Sequence, residues 1–338
     1  MTNGNSNQTR QGASAPPSIL LLLAVLAAMV IFLTLASEFF LTLKNSKNIL
    51  NQASTYLILS LGMTMVICTG GIDLSVGSIL GGTGILMGSL IHLGLPVWLA
   101  VLLGLGAGML VGIINGLLVT KLDINALIVT LCTGSAIRGI ILVATNTASV
   151  YGFPESFTFW GGSRSFFSLF FTELDNPILN VLNPPIVISL LLTLAFGILL
   201  ERCRFGHYCL CLGSNERAMH QCGINTHSYK VLSYGLCGLT AAVAGFVVTA
   251  RLNSAEVLAG DGYEMSAIAA VVLGGTLIQG GKGSILGTFV ASLIIAVIRN
   301  GLTVLSISTN YQRILTGVIV LIAVVVGESR KRRSREGT

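Results

Sequence analysis

The stretch TMVICTGGIDLSVGSILGGTGILMGSLIH, residues 64–92, joins two apolar runs through a pair of glycines and one acidic residue. The run that ends at Gly70 and the run that follows Asp73 are each close to the roughly 20 residues that a membrane-spanning helix needs. Adjacent glycines favour an abrupt change of chain direction. The pattern therefore predicts that one helix ends here and the next begins at once, with a carboxylate at the start of the second.

The whole chain has the composition of a membrane protein. Of its 338 residues 53% are hydrophobic and 9% are charged, whereas soluble domains carry roughly 25% charged residues. Such a chain cannot cover a globular surface, so we predict an all-α polytopic helix bundle with about ten spans. The candidate spans are 18–37, 51–69, 74–92, 97–118, 125–145, 185–201, 231–250, 264–278, 284–300 and 312–328.

Lysine and arginine residues set the orientation. An even number of spans puts both termini on one side, which then holds twelve of these residues against six on the other. Basic residues accumulate on the cytoplasmic side, so both termini are predicted to be cytoplasmic. The expected organisation is a disordered tail (1–17), a transmembrane domain (18–328) with an extracytoplasmic loop (146–184) and a cytoplasmic loop (202–230), and a basic tail (329–338) that suits anionic lipid.

Glycines recur every four residues in one apolar run. Four residues are a little over one helical turn, so these glycines form a single seam, and small residues let helix backbones approach closely in lipid. We therefore predict that this seam packs against a neighbouring helix. Its members are Gly104, Gly108, Gly112 and Gly116.

The sequence lacks the residues for serine–histidine catalysis, for a phosphate-binding loop and for a structural zinc site. The four histidines lie outside the apolar runs or at the end of one, so no Ser–His pair is available within the membrane. TLIQGGKGS at 276–284 departs from the G-x4-G-K-[ST] phosphate-binding pattern. The cysteines between 203 and 222 lack the paired spacing of structural zinc sites. We expect no catalytic residue, no metal site, no nucleic-acid partner and no cofactor bound by this chain.

Asp73 has two interpretations. With Ser75 it can cap the third span, because side-chain oxygens accept from the first free amides and a carboxylate complements the helix dipole. Broken helices at membrane depth also build the polar sites of transporters, so a role in the substrate path stays open. Arg138 likewise either extends to the outer surface or lines the path or pairs with an acid.

The acidic residues leave little for ion coupling to act on. Ion-coupled carriers usually keep ionisable residues inside the bundle, and here only Asp73 and Glu264 are candidates for membrane depth. Sodium can also bind to backbone carbonyls of discontinuous helices. An ion-coupled secondary transporter therefore remains an alternative.

The cytoplasmic segment 205–230 suits docking onto another protein, although a solvated connector is the other interpretation. Ser214 is the predicted cap of a short polar helix from Arg217 to Gln221, which Gly223 would end.

Six stretches together resemble the permease subunit of bacterial ATP-binding-cassette importers for monosaccharides of the ribose, xylose and galactose type. The resemblance covers nearly all of residues 45–327. The stretches are GGIDLSVGS (70–78), NGLLVTKLDINALIVTLCT (115–133), RG (138–139), LGSNERAMHQCGIN (212–225), GDGYEMSAIAAVVLGGT (260–276) and GGKGSILGT (280–288).

The resemblance implies an inner-membrane subunit that works in two copies, identical or related. Two ATPase subunits would bind ATP and Mg²⁺ on the cytoplasmic face, and a periplasmic sugar-binding protein would deliver the solute. The chain departs from the family's ATPase-contact pattern at Met219 and Gln221. The contact itself is expected at Gly213, Asn215, Glu216, Arg217, Ala218 and Gly223.

The predicted function is import of a ribose-like pentose or a hexose by alternating access, in which a separate ATPase moves the segment 205–225. Relatives that carry sugar-derived signals or nucleosides leave those solutes open, and a scaffold without transport activity is a further alternative.

Overall fold

The computed structural model describes residues 19–162, 166 and 182–308, together with five isolated positions between 311 and 321. The predicted tails at 1–17 and 329–338 lie outside the described residues. So do most of the predicted tenth span and most of the loop at 146–184.

The described chain is a helix bundle with one short antiparallel strand pair, in agreement with the predicted all-α class. The first helices are α1 (Ile19–Ala36), α2 (Leu43–Cys68), α3 (Val76–His92), α4 (Val97–Lys121) and α5 (Ala126–Ala144). Next come β1 (Val150–Tyr151), α6 (Glu155–Thr158), a 3-10 turn (Phe159–Gly161), α7 (Pro184–Glu201), α8 (Arg204–Ser214) and α9 (Glu216–Gln221). The remaining elements are α10 (Thr226–Leu252), β2 (Ser254–Ala255), α11 (Tyr263–Leu273) and α12 (Ile285–Val304).

Two helices are shorter than the sequence predicts. Among the described residues, seven helices are long and apolar enough to cross a membrane, namely α1, α2, α4, α5, α7, α10 and α12. In contrast, α3 has 17 residues and α11 has 11. The predicted span 264–278 is wrong in its second half: α11 ends at Leu273, where Gly274 and Gly275 follow, the latter with φ of 94°. At the helical rise α11 extends about 16 Å, roughly half of the hydrocarbon core.

The helix α2 forms the centre of the bundle and packs against α7, α10, α11 and α12. Hydroxyl and amide side chains join it to its neighbours. The hydroxyls of Thr64 and Thr288 lie 3.1 Å apart, and Asn183, which caps α7, donates to Asn51 at 2.8 Å. Because lipid supplies no hydrophobic force between helices, such hydrogen bonds and close packing hold the bundle together.

The glycine seam of α4 lies against α3 and α10. An added Cβ at Gly104 would contact the side chain of Met87 in α3. At Gly116 it would lie 2.7 Å from the Cα of Val231 in α10. Gly112 meets the carbonyl of Tyr234 in the same helix. The seam therefore sets the distance between α4 and α10, which also carries residues that cover the turn before α3.

Candidate functional site

The turn between α2 and α3 leads from the surface into the bundle: Gly70 is exposed, Gly71 and Ile72 are half-buried, and Asp73 is buried. Gly70 begins it with φ of 81°, a conformation that glycine adopts without strain. The side chain of Tyr234 packs on Gly71, and its hydroxyl donates to the carbonyl of Ile72 at 3.4 Å. As a result Asp73, which comes next, has no solvent-exposed surface.

Asp73 holds the turn that leads into α3. Its Oδ1 accepts from the amide of Ser75 at 2.9 Å and from the hydroxyl of Ser75 at 2.6 Å. The same hydroxyl accepts from the side-chain amide of Asn115 at 2.9 Å. The prediction for Ser75 needs correction, because its side chain makes no capping bond to the helix. Its hydroxyl links Asp73 to α4 instead.

Asn115 was not singled out from the sequence. It belongs to the same run as the glycine seam of α4 and is fully buried. An amide inside an otherwise apolar run was the available signal, since such a side chain needs partners that lipid cannot supply.

Arg138 binds backbone carbonyls of the segment that precedes α11. Its guanidinium donates to Val257 at 2.6 Å and twice to Ala259 at 3.1 Å. These bonds fix the guanidinium to that segment, and the acids within its electrostatic reach are Asp261 and Glu264. Three bonds from a planar guanidinium fix the position of the carbonyls that accept them.

The starts of α3 and α11 meet inside the bundle. Gly260 and Gly262, with φ of 79° and 77°, turn the chain into α11. An added Cβ at Gly77, in the first turn of α3, would contact the carboxylate of Glu264 and the carbonyl of Gly260. The first turns of two helices, one carboxylate and a bound guanidinium thus lie close together. This arrangement of broken helices is the one with which transporters bind polar solutes.

Arg299 is a second arginine within the bundle. It lies in α12 and donates to Ser266 at 2.8 Å. Its guanidinium lies 5.1 Å from the ring centre of Tyr56 and 5.7 Å from that of Tyr263. The sequence signal was an arginine inside a predicted span, but its aromatic partners are distant in the chain.

On the predicted cytoplasmic face, α8 and α9 form the expected docking segment. The predicted cap is displaced by one residue: Asn215 accepts from the amide of Ala218 at 3.0 Å. Ser214 belongs to α8, where its hydroxyl donates to the carbonyl of Leu210 at 3.0 Å. Gly223, with φ of 76°, follows the end of α9.

Gly213 joins this segment to the membrane helices. An added Cβ there would contact the carbonyl of Cys68, at the end of α2, and the amide of Gly281. That amide donates to the same carbonyl at 3.1 Å. The docking segment therefore packs directly on the end of α2 and on the turn before α12. Cys68, at the end of α2, precedes Asp73 by five residues in the chain.

The charged residues of the docking segment differ in their surroundings. Glu216 forms an exposed ion pair with Lys230 at 2.7 Å. Arg217 and Ala218 are exposed, whereas Met219 is buried beneath them. A charged surface is thus presented on a short helix that the bundle holds in place.

The long apolar helices define a multi-pass membrane protein, and comparison with known proteins gives its class. Residues 45–324 match the family described as branched-chain amino acid transport system / permease component, and the chain belongs to this family. It is 40% identical over 311 residues to ribose import permease protein RbsC of Escherichia coli (strain K12), covering 92% of this chain and 93% of that protein. The predicted class, a transporter permease subunit, is thereby confirmed.

Two further relatives have similar coverage. Ribose import permease protein RbsC of Bacillus subtilis (strain 168) is 38% identical over 302 residues, with 89% of this chain and 90% of that protein covered. D-allose transport system permease protein AlsC of Escherichia coli (strain K12) is 36% identical over 306 residues, with 90% and 89% covered. No solved structure matches the chain significantly.

Proposed function

We propose that the chain is the transmembrane subunit of an ATP-binding-cassette importer that carries a monosaccharide, a ribose-like pentose or a hexose, across the bacterial inner membrane. The observation that carries this proposal is the 40% identity over 92% of the chain to a ribose import permease. The 36% identity to a D-allose permease supports the same class of solute.

The other components follow from this class of importer. A separate ATPase binds ATP and Mg²⁺ and docks on α8 and α9, and a periplasmic binding protein delivers the sugar. Two permease copies form the path between them. This chain binds no cofactor and catalyses no reaction of its own.

The packing of Gly213 supports a direct mechanical route from the ATPase to the membrane. When α8 moves, the end of α2 and the turn before α12 must move with it, because Gly213 touches the backbone of both. The turn that holds Asp73 begins directly after α2. A shift of α8 is therefore transmitted to the start of α3, and alternating access follows from a change in how α3 meets α11.

The meeting point of α3 and α11 has the chemistry that an uncharged sugar needs. Sugar hydroxyls both donate and accept hydrogen bonds, and the site brings the carboxylate of Glu264 and the carbonyl of Gly260 against the first turn of α3. Weak polar groups of this kind suit a solute that must bind and then leave.

Reconstitution with the partner ATPase and binding protein tests the proposal. Ribose or a related monosaccharide is expected to stimulate ATP hydrolysis and to accumulate in proteoliposomes, whereas leucine should do neither. Stimulation of ATP hydrolysis by leucine and not by a monosaccharide would contradict the proposed solute class. Uptake that needs no ATPase and collapses with an uncoupler would favour the ion-coupled alternative.

A second candidate solute has a specific basis. The chain is 36% identical over 278 residues to autoinducer 2 import system permease protein LsrD of Klebsiella pneumoniae. A sugar-derived signal should therefore be included among the labelled solutes, and uptake of that signal without uptake of ribose would assign the chain to this second function.

A further inference from the structure

The cluster formed by the side chains of Asp73, Ser75 and Asn115 is short of hydrogen-bond donors. All three residues have 0% exposure. The hydroxyl of Ser75 donates to Oδ1 of Asp73 and accepts from the amide of Asn115, so the three groups form one chain. Within the part of the sequence that the structure describes, Oδ2 of Asp73 and Oδ1 of Asn115 are buried without any partner. Both atoms are acceptors, so the cluster lacks a donor.

A negative charge on Asp73 would be stabilised by the hydrogen bonds from Ser75 but would face no cationic side chain. The titratable groups that face it are Tyr234 and Cys237, both on α10, and neither can carry a positive charge. From α4 its neighbour is Asn115. In residues 19–162 and 182–308, no basic side chain forms an ion pair with it.

The ionisable groups nearest along α3 are directed elsewhere. Glu264 of α11 lies against Gly77, one turn farther along the helix, and is itself acidic. Arg138 of α5 donates to carbonyls of the segment before α11. A carboxylate taken out of water without a cationic partner is strongly disfavoured, and the group takes up a proton instead.

We propose that Asp73 holds a proton and that the buried Asp73–Ser75–Asn115 cluster is a proton-binding site. A proton on Oδ2 turns an unpartnered acceptor into a donor, and Oδ1 of Asn115 is the unpartnered acceptor of the same cluster. One H⁺, taken from water, forms an O–H bond at Oδ2 and cancels the buried charge. This inference concerns the carboxyl group alone and holds for any solute that the chain carries.

One rival arrangement keeps Asp73 ionised. If the amide of Asn115 is rotated by half a turn, its nitrogen can donate to the carboxylate and its oxygen can accept from Ser75. The oxygen and nitrogen of an amide are assigned from the hydrogen-bond network rather than observed. The two arrangements differ in one measurable property, which is the protonation state of the aspartate.

Infrared spectroscopy of the purified full-length permease in lipid nanodiscs measures this property. The chain has four aspartates, Asp73, Asp123, Asp175 and Asp261. Labelling them with ¹³C in the side-chain carboxyl group shifts their bands away from those of glutamate. At neutral pH we expect one labelled band of a protonated carboxylic acid, which loses intensity as the pH is raised and moves in D₂O.

Single substitutions assign the band. It should vanish in Asp73→Asn and persist in the matched control Asp123→Asn, where asparagine tolerates the φ of 51°. If Asp73→Asn does not reach the membrane, persistence of the band in Asp123→Asn, Asp175→Asn and Asp261→Asn assigns it by elimination. Labelled protein that shows only carboxylate bands at neutral pH, or a band that is lost from one of the other three variants, overturns the proposal.

Discussion

Gly213 of α8 lies directly against the carbonyl oxygen of Cys68, the last residue of α2. The contact joins the surface segment α8–α9 to the central helix of the bundle without any intervening side chain. The same carbonyl accepts from the amide of Gly281 at 3.1 Å, so three chain segments meet at one oxygen atom. No side chain larger than hydrogen fits at position 213 unless the backbone moves.

Gly213→Ala should reduce sugar uptake without a matching loss of ATP hydrolysis. The added methyl group collides with backbone atoms, and such overpacking costs roughly 1–3 kcal/mol. Because about 1.4 kcal/mol is a tenfold change in an equilibrium, sugar uptake should fall roughly tenfold or more. Uptake and sugar-stimulated ATPase activity are measured in reconstituted complexes of equal permease content.

Gly197→Ala is the matched control, since an added Cβ at Gly197 in α7 meets no atom within 4 Å. This variant should transport normally. If Gly213→Ala also transports normally, the contact with Cys68 does not carry the coupling.

Asp73→Ala should lower the stability of the permease. The substitution removes the acceptor of two hydrogen bonds from Ser75 and leaves buried donors unpaired, at a cost of about 1–3 kcal/mol for each unsatisfied group. The amount of protein in the membrane and its melting temperature in detergent should both fall. Asp73→Asn keeps an oxygen at the same place and should be destabilised less. Stable Asp73→Ala protein that hydrolyses ATP without moving sugar would instead assign Asp73 to the substrate path.

Arg138→Glu should abolish uptake while the protein still inserts. A carboxylate cannot donate to the carbonyls of Val257 and Ala259 and would repel them, so the segment before α11 loses its anchor. Arg138→Lys keeps one charged donor but not the fork, and an intermediate uptake rate is expected. Membrane abundance is measured alongside uptake. Normal uptake by the glutamate variant would remove Arg138 from the mechanism.

Charge reversal in the docking segment tests whether its charges act in coupling to the ATPase or only in folding of the segment. The pair between Glu216 and Lys230 is exposed, and such pairs contribute about 0–1 kcal/mol, so Glu216→Lys should fold. Combined with Arg217→Glu, the reversal should uncouple ATPase activity from transport, because the partner ATPase meets the wrong charges.

The exchange of Glu216→Lys with Lys230→Glu, made together with Arg217→Glu, restores the ion pair within the chain and serves as the control. If docking depends on the charge at position 216, this exchanged variant stays uncoupled. Recovery of coupling in it would show that only the internal ion pair matters.

The sequence was sufficient where the determinant is local. Long apolar runs identified most helices, and Gly223 marked the end of α9. The sequence was insufficient where tertiary contacts determine the helix end or the partner of a side chain. Gly274 and Gly275 end α11 inside an apolar run, and the contacts of Asn115 with Ser75 and of Arg299 with Tyr56 join positions far apart in the chain. The cap of α9 was misplaced by one residue because serine and asparagine cap helices equally well.

The cysteines of α8 and α9 provide a test of which surface the ATPase covers. Cys209 is buried, and this burial raises the pKa of its thiol to about 11, although a contact with the hydroxyl of Ser233 at 3.4 Å partly offsets the effect. Cys211 and Cys222 are exposed. The thiolate is the reactive form, and a free cysteine has a pKa of about 8.5. At neutral pH Cys209 should therefore react with maleimide on the order of a hundredfold more slowly than a free cysteine.

Single-cysteine variants of the full chain allow these rates to be measured with and without the ATPase subunit. Exposed Cys211 and Cys222 should become protected when the ATPase binds, because α8 and α9 form the proposed docking segment. The rate at Cys209 should stay low in both states, since the bundle itself already buries this thiol. Rapid labelling of Cys209 in the free permease would show that α8 detaches from the bundle, and unchanged labelling of both exposed cysteines would place the ATPase on another surface.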